Sequence, residues 1–199
     1  GAVTLSMAAL GRMYLSQLDR GPKSGQTEKL LFWLGVALSL LLKGPVGPMV
    51  MALTLAALWL WDRKASWMKD IGWGWGLVII LGLVGPWALA ITVATDGAFW
   101  TTAVAGDLAP KLAGGQESHG APPGYYLALS PFLLFPVTLL LPAALILGWK
   151  HRDAPAVRFA LCWIIPTWLV FELIPTKLAH YTLPTFGALA WLMAGALAQ

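Results

Sequence analysis

Three short stretches of this sequence hold nearly all the residues able to do chemistry. The first is Lys43, within Leu40-Leu41-Leu42-Lys43-Gly44-Pro45-Val46-Gly47-Pro48, which interrupts an otherwise almost wholly apolar run from Leu30 to Asp62. A lysine in hydrocarbon costs ~2.5–3.5 kcal/mol on insertion scales, so it marks a water-facing turn or a functional site. The second stretch carries Asp96, Asp107 and Lys111, then Gly114-Gly115-Gln116-Glu117-Ser118-His119-Gly120-Ala121-Pro122-Pro123-Gly124-Tyr125-Tyr126. The third is Phe171-Glu172-Leu173-Ile174-Pro175-Thr176-Lys177-Leu178-Ala179-His180-Tyr181-Thr182-Leu183-Pro184. Lys43 and Lys177, with protonated His119 or His180, are the donors of an anion site suited to a phosphate. Glu117-x-His119 puts both side chains on one side of an extended backbone, as an acid/base pair or part of a metal site. Two ligands fall short of a zinc set, so no cofactor is assigned and a divalent metal ion stands only as an option.

The elements that position these groups are membrane helices. Hydrophobic residues make up 58% and charged residues 11% of the 199 positions, which excludes a soluble domain. The mean hydropathy of +0.72 says the same. Twelve tryptophans suit a chain with rings at the headgroup level. The net charge of +4 does not signal nucleic acid, because the basic residues sit in short loops between apolar runs. The lone Cys162 lies in an apolar segment and reads as packing. No cleavable signal peptide is visible, and Gly1-Ala2-Val3 opens inside an apolar run, so the chain reads as a piece of a longer protein.

Seven apolar segments are predicted, at 1–18, 30–42, 46–61, 72–95, 124–149, 156–174 and 181–198, giving an all-α polytopic bundle in one transmembrane domain over 1–199. Loop charge decides how the second and third are joined. Arg20, Lys23 and Lys29 precede them, and Arg63, Lys64 and Lys69 follow. Positive loops stay cytoplasmic, so an even number of crossings separates them, and a hairpin turning at Lys43–Pro45 is required. Lys150, Arg152 and Arg158 fall on the same side. Ten of thirteen basic residues, Arg12 included, are then cytoplasmic, with Lys43, Lys111 and Lys177 outside. The external loop is 96–123, and the three chemical stretches share the outer face. Helices at 46–61, 124–149 and 181–198 all start there, pointing free N–H groups at that layer. Pro184 predicts irregular backbone over 175–183. Tyr125 and Tyr126 read as an interfacial belt, and Gly72-Trp73-Gly74-Trp75-Gly76 as an anchor at the cytoplasmic boundary.

Leu42-Lys43-Gly44-Pro45-Val46-Gly47, His119-Gly120-x-Pro122-Pro123-x-Tyr125-Tyr126 and Lys177-Leu178-x-His180-Tyr181-x-Leu183-Pro184 occur in this order with spans between. The ordered set resembles bacterial membrane glycosyltransferases of the protein O-mannosyltransferase and lipid A aminoarabinose transferase type, across essentially the whole chain. That resemblance implies a GT-C fold in the bacterial inner membrane with a site facing the periplasm. It implies a polyprenyl-phosphate-linked sugar as donor, membrane lipids around it, and a periplasmic acceptor, lipid A or protein. By matching position, Lys43, Lys177, His180 and Tyr181 contact the donor phosphate, and His119 joins Glu117 among the catalytic candidates. The family's usual base lies in an earlier external loop, so the resemblance implies that this chain is inactive by itself. Ala179 replaces the proline of the family's Lys-Leu-Pro-His-Tyr. The rival readings are a transporter or lipid flippase with Lys43 and Glu172 as ion-pathway residues, and a non-catalytic scaffold.

Overall fold

A computed structural model describes residues 1–18, 24–63, 66–109 and 120–198. The helices are α1 (Ala2–Gln17), α2 (Gln26–Lys43), α3 (Val46–Asp62), α4 (Trp73–Ala94), α5 (Ala98–Thr101), α6 (Tyr125–Leu133), α7 (Leu141–Lys150), α8 (Pro155–Leu173) and α9 (Phe186–Leu197). Tight 3-10 turns lie at Ser66–Ile71, Val137–Leu140 and Ala179–Thr185, and a π turn follows α5 at Thr102–Leu108. Each apolar segment predicted from the sequence carries helix.

The hairpin at Lys43 forms. α2 ends at Lys43, Gly44 turns the chain with φ of +60°, and α3 begins at Val46. A side chain is strained at that φ, which is the conformation glycine supplies. Three residues on, Gly47 lets the helices close: a Cβ there would lie 2.1 Å from the Ser39 hydroxyl oxygen. The Gly-Pro-Val-Gly sequence therefore makes both the turn and the close approach behind it.

Helix α1 packs against α2, α3 and α8, burying Met7, Leu10, Met13 and Tyr14 at the centre of the bundle. α3 lies along α8, and α9 lies against α7 and α8. Polar contacts sort to the ends. At one end Arg12 pairs with Glu28 at 2.9 Å, and Asp62 accepts from Tyr14 Oη at 2.8 Å and from the Arg158 guanidinium. The start of α2 and the end of α3 therefore meet the same end of α1, as the loop charges require. Lys43 and the 179–185 turn lie at the other end.

Among the described residues two helical stretches are long and apolar enough to cross a membrane, Ser66–Ala94 and Pro155–Leu173. α4 leaves its apolar surface almost wholly uncovered, packing mainly on α2. Trp33 anchors that contact: its indole donates to the Ile71 carbonyl at 3.0 Å, and its ring lies against Gly76. Trp73 in turn donates to the Met68 carbonyl at 2.8 Å.

The segment 124–149 is a correction. It is two limbs, α6 and the Val137–Lys150 stretch, bent by 117°. Pro136 supplies no N–H and biases the preceding Phe135 away from helical angles, so the ladder stops between the limbs. At ~1.5 Å per residue neither limb spans hydrocarbon alone. The last segment is also shorter than expected. Its α-helix starts at Phe186, and residues 179–185, expected in part as irregular backbone, form a 3-10 turn through Pro184.

Candidate functional site

The end of the bundle opposite the Asp62–Arg158 contacts holds a cavity of about 240 Å³. Its polar side chains are Lys43 from the end of α2, Ser39 one turn earlier, Thr4 from the start of α1, and His180 and Tyr181 from the 3-10 turn. The start of α1, Val46, Gly47 and Leu183 supply most of the remaining wall. Lys43 reaches into it exposed, its Nζ 5.8 Å from the centroid of the Tyr181 ring. His180 and Tyr181 sit edge to face at 5.2 Å, and Phe171 backs the tyrosine at 5.3 Å. α3 begins at this cavity, so its first N–H groups, which no helical carbonyl can satisfy, face the same region as the lysine.

The local charge is set by Lys43. His180 is solvent-exposed, yet loss of water on its bundle side lowers its pKa from the ordinary 6.5, and the Lys43 charge lowers it further. At neutral pH the site thus combines one ammonium, one neutral imidazole and one phenol. That set has the chemistry to hold a singly charged anion with an apolar body, the ammonium supplying charge and the imidazole and phenol supplying donors.

Lys177 is placed differently from the expectation. Its ammonium is buried and donates to the carbonyls of Phe171, Glu172 and Ile174, which end α8. An ammonium has three N–H donors, and all are used. It also lies 5.6 Å from the Tyr126 ring centroid. In this structure the Lys177 ammonium caps a helix, where a cation also meets the negative end of the macrodipole, and it does not face the Lys43 cavity. Burial lowers its pKa, and the neighbouring Glu172 acts in the opposite sense.

Tyr126 is likewise not a belt residue. It is fully buried, donates from Oη to the Leu178 carbonyl at 3.1 Å and accepts the Leu178 N–H at 3.1 Å. Glu172, read from sequence only as a rival ion-pathway residue, accepts the N–H groups of Gly124 and Leu127. The signal for these roles was an acid and a base five residues apart at the close of an apolar run, Glu172 and Lys177. Glu117, His119 and Lys111 lie outside the described residues. The structure brings together Lys43, His180 and Tyr181, and holds Lys177 behind them.

Comparison with protein-family models finds no match. Curated relatives and solved structures do match. The chain is 33% identical over 202 residues to the undecaprenyl phosphate-alpha-4-amino-4-deoxy-L-arabinose arabinosyl transferase of Pseudomonas paraeruginosa, an alignment covering 99% of this chain and 35% of the relative. It is 32% identical over 203 residues to the enzyme of the same name from Pseudomonas aeruginosa PAO1, with the same coverage. The chain thus spans about a third of the length of these relatives. The crystal structure of ArnT from Cupriavidus metallidurans bound to undecaprenyl phosphate superposes with a TM-score of 0.80 at 19% identity, over 98% of this chain and 36% of that one. The apo form gives 0.78.

By fold, then, the chain matches about a third of ArnT, an all-α membrane architecture. By sequence it is homologous, along its whole length, to one portion of the undecaprenyl phosphate-aminoarabinose arabinosyl transferases.

Proposed function

We propose that this chain forms the donor-phosphate side of a GT-C glycosyltransferase that moves a sugar from an undecaprenyl-phosphate carrier to a periplasmic acceptor. The relatives' names favour an aminoarabinose-type sugar on the carrier, and lipid A is the acceptor proposed with it. The observation that carries the reading is the cavity where Lys43, His180 and Tyr181 meet at one end of the bundle. Its polar groups suit a phosphate at the water–lipid boundary, and its apolar lining suits the first isoprene units.

In this reading the bond that breaks joins the sugar's anomeric carbon to a phosphate oxygen, and negative charge grows on the departing lipid phosphate. Lys43 sits where that charge develops and stabilises it without reorganising. His180, neutral at pH 7, and Tyr181 donate hydrogen bonds to the same group. Glu117 and His119 are the proposed acid/base groups for the acceptor hydroxyl. The clustering of basic residues at the Asp62–Arg158 end supports placing that end in the cytoplasm and the cavity at the periplasmic face of the inner membrane.

The test uses right-side-out membrane vesicles holding the full-length protein and a radiolabelled lipid-linked sugar. Label is expected to appear on lipid A-type acceptor supplied at the outer face. Donor that changes leaflet with its sugar still attached, and no labelled acceptor, would support the flippase reading and overturn this one.

The pH dependence of donor binding follows from His180. Its pKa lies below 6.5, so it is uncharged at neutrality, and acidification below that value adds a cation beside Lys43. A phosphodiester keeps its single negative charge throughout, so donor affinity is expected to rise as pH falls below 6.5. His180→Gln should flatten the profile. Isothermal titration between pH 7.5 and 5 checks this, and an affinity that falls on acidification contradicts it.

A further inference from the structure

Tyr126 is fully buried in the first turn of α6 and is not part of the cavity wall. Its hydroxyl uses both of its hydrogen-bonding capacities on one residue. It donates to the Leu178 carbonyl and accepts the Leu178 N–H, each at 3.1 Å. Leu178 is extended, with φ of −119° and ψ of 130°. An extended residue turns its N–H and C=O to the same side, so the phenol takes the place that a facing residue fills in an antiparallel pair. A phenylalanine would fill the same space in the core, and the hydroxyl adds these two bonds alone.

Leu178 is the residue that opens the 3-10 turn carrying the cavity's imidazole and phenol. Its carbonyl also accepts the Tyr181 N–H at 2.9 Å, so the oxygen bonded to Tyr126 anchors the backbone of a cavity residue as well. Tyr126 is itself held from behind. The Lys177 ammonium lies 5.6 Å from its ring centroid while donating to the carbonyls of Phe171, Glu172 and Ile174, and an aromatic face attracts such a cation. Phe171 packs on the ring of Tyr181 at 5.3 Å, which closes the circuit. Every link in it ends on the short path from Lys177 to Tyr181.

We propose that Tyr126 is a positioning residue for the donor site, its hydroxyl setting the 179–185 turn through Leu178 so that His180 and Tyr181 face a phosphate held at Lys43. The proposal rests on the donor site argued above. Lys43 supplies the charge, and Tyr126 decides whether the two neutral donors stand where the anion is.

The experiment is equilibrium binding of a fluorescent polyprenyl phosphate to the full-length protein in nanodiscs, run as a double-mutant cycle. Tyr126→Phe keeps the buried ring and removes only the hydroxyl, so it is expected to fold and to bind the probe roughly 3- to 10-fold more weakly. His180→Ala with Tyr181→Phe removes the two polar groups being positioned and should itself weaken binding. Adding Tyr126→Phe to that pair is expected to change affinity by less than about twofold, because nothing is left for it to position. Hydrogen exchange reads the turn without any donor. Amides of 178–185 should exchange roughly fivefold faster or more in Tyr126→Phe, with α8 unchanged. Wild-type affinity or wild-type exchange in Tyr126→Phe overturns the proposal. So does an equal loss of affinity in both backgrounds, which is what a general loosening of the fold produces. Unchanged binding in the His180→Ala, Tyr181→Phe pair is a different failure: it removes the donor site itself, and the positioning role with it, whatever the exchange shows.

Discussion

Lys43→Ala in the full-length protein is expected to weaken binding of polyprenyl phosphate by roughly 10- to 100-fold, the loss of one charge-assisted contact of about 1.5–3 kcal/mol. The expectation follows from where the ammonium sits. It is exposed at the end of α2, faces the ring of Tyr181, and opens into the cavity rather than onto a helix end. Folding should be nearly unaffected, because no ion pair or hydrogen bond of the bundle uses this side chain among the described residues. Lys43→Arg should recover only part of the affinity, since a planar fork does not reproduce a compact ammonium in the same space. Equilibrium binding with a fluorescent polyprenyl phosphate measures all three proteins. Wild-type affinity in Lys43→Ala would reduce the lysine to a turn residue.

Asp62→Ala should have the largest effect on stability. Asp62 ends α3 and accepts Tyr14 Oη from α1 and the Arg158 guanidinium from α8, so one carboxylate ties three helices together. The side chains of Arg158 and Asp62 are only 20% and 11% exposed. Removing the acid leaves a guanidinium without its counter-charge and a buried phenol without its acceptor. Breaking such a pair costs about 3–5 kcal/mol when fully buried, and the lower end is expected here because Arg158 retains the Asp153 carbonyl and some solvent. Asp62→Asn, which keeps one acceptor, should lie between. Unfolding of the purified protein in detergent is the measurement. A transition temperature for Asp62→Ala equal to wild type would show that this contact does not hold the helices together. Donor affinity is expected to survive at temperatures where the variant is folded, since the cavity lies at the opposite end.

The contrast between these two residues shows what the sequence could reveal. Lys43 was legible because charge inside a long apolar run, followed by Gly-Pro-Val-Gly, has few physical explanations. The hairpin followed from loop charge alone, a one-dimensional signal that survives without any knowledge of packing. The bend at Pro136 was not legible as a break, because 124–149 is continuously apolar and hydropathy does not register a lost N–H. The partners of Lys177 were hidden for a different reason. It stands in an outer motif beside His180, and nothing in composition tells an ammonium that faces a ligand from one folded back onto three carbonyls. Only the path of the chain from Phe171 to Ile174, turning its carbonyls toward residue 177, decides that. Glu172 and Tyr126 were hidden in the same way. Their partners are backbone groups forty-five or more residues away, and backbone groups carry no sequence signature.

These placements also weigh against the ion-pathway reading. An ion-carrying carboxylate needs oxygens that can exchange partners, and both oxygens of Glu172 are fixed on helix N–H groups. Of the two residues that reading names, Lys43 keeps its charge out of any ion pair among the described residues, and it lies at the end of the bundle rather than midway along it.

The most direct measurement of the central claim is a structure of the full-length protein with undecaprenyl phosphate bound. The account predicts phosphate density in the cavity between α2 and the 179–185 turn, within direct contact of Lys43 Nζ and of His180 or Tyr181, with Lys177 still turned back on the end of α8. Phosphate held by Lys177, or seated away from Lys43 altogether, would contradict it.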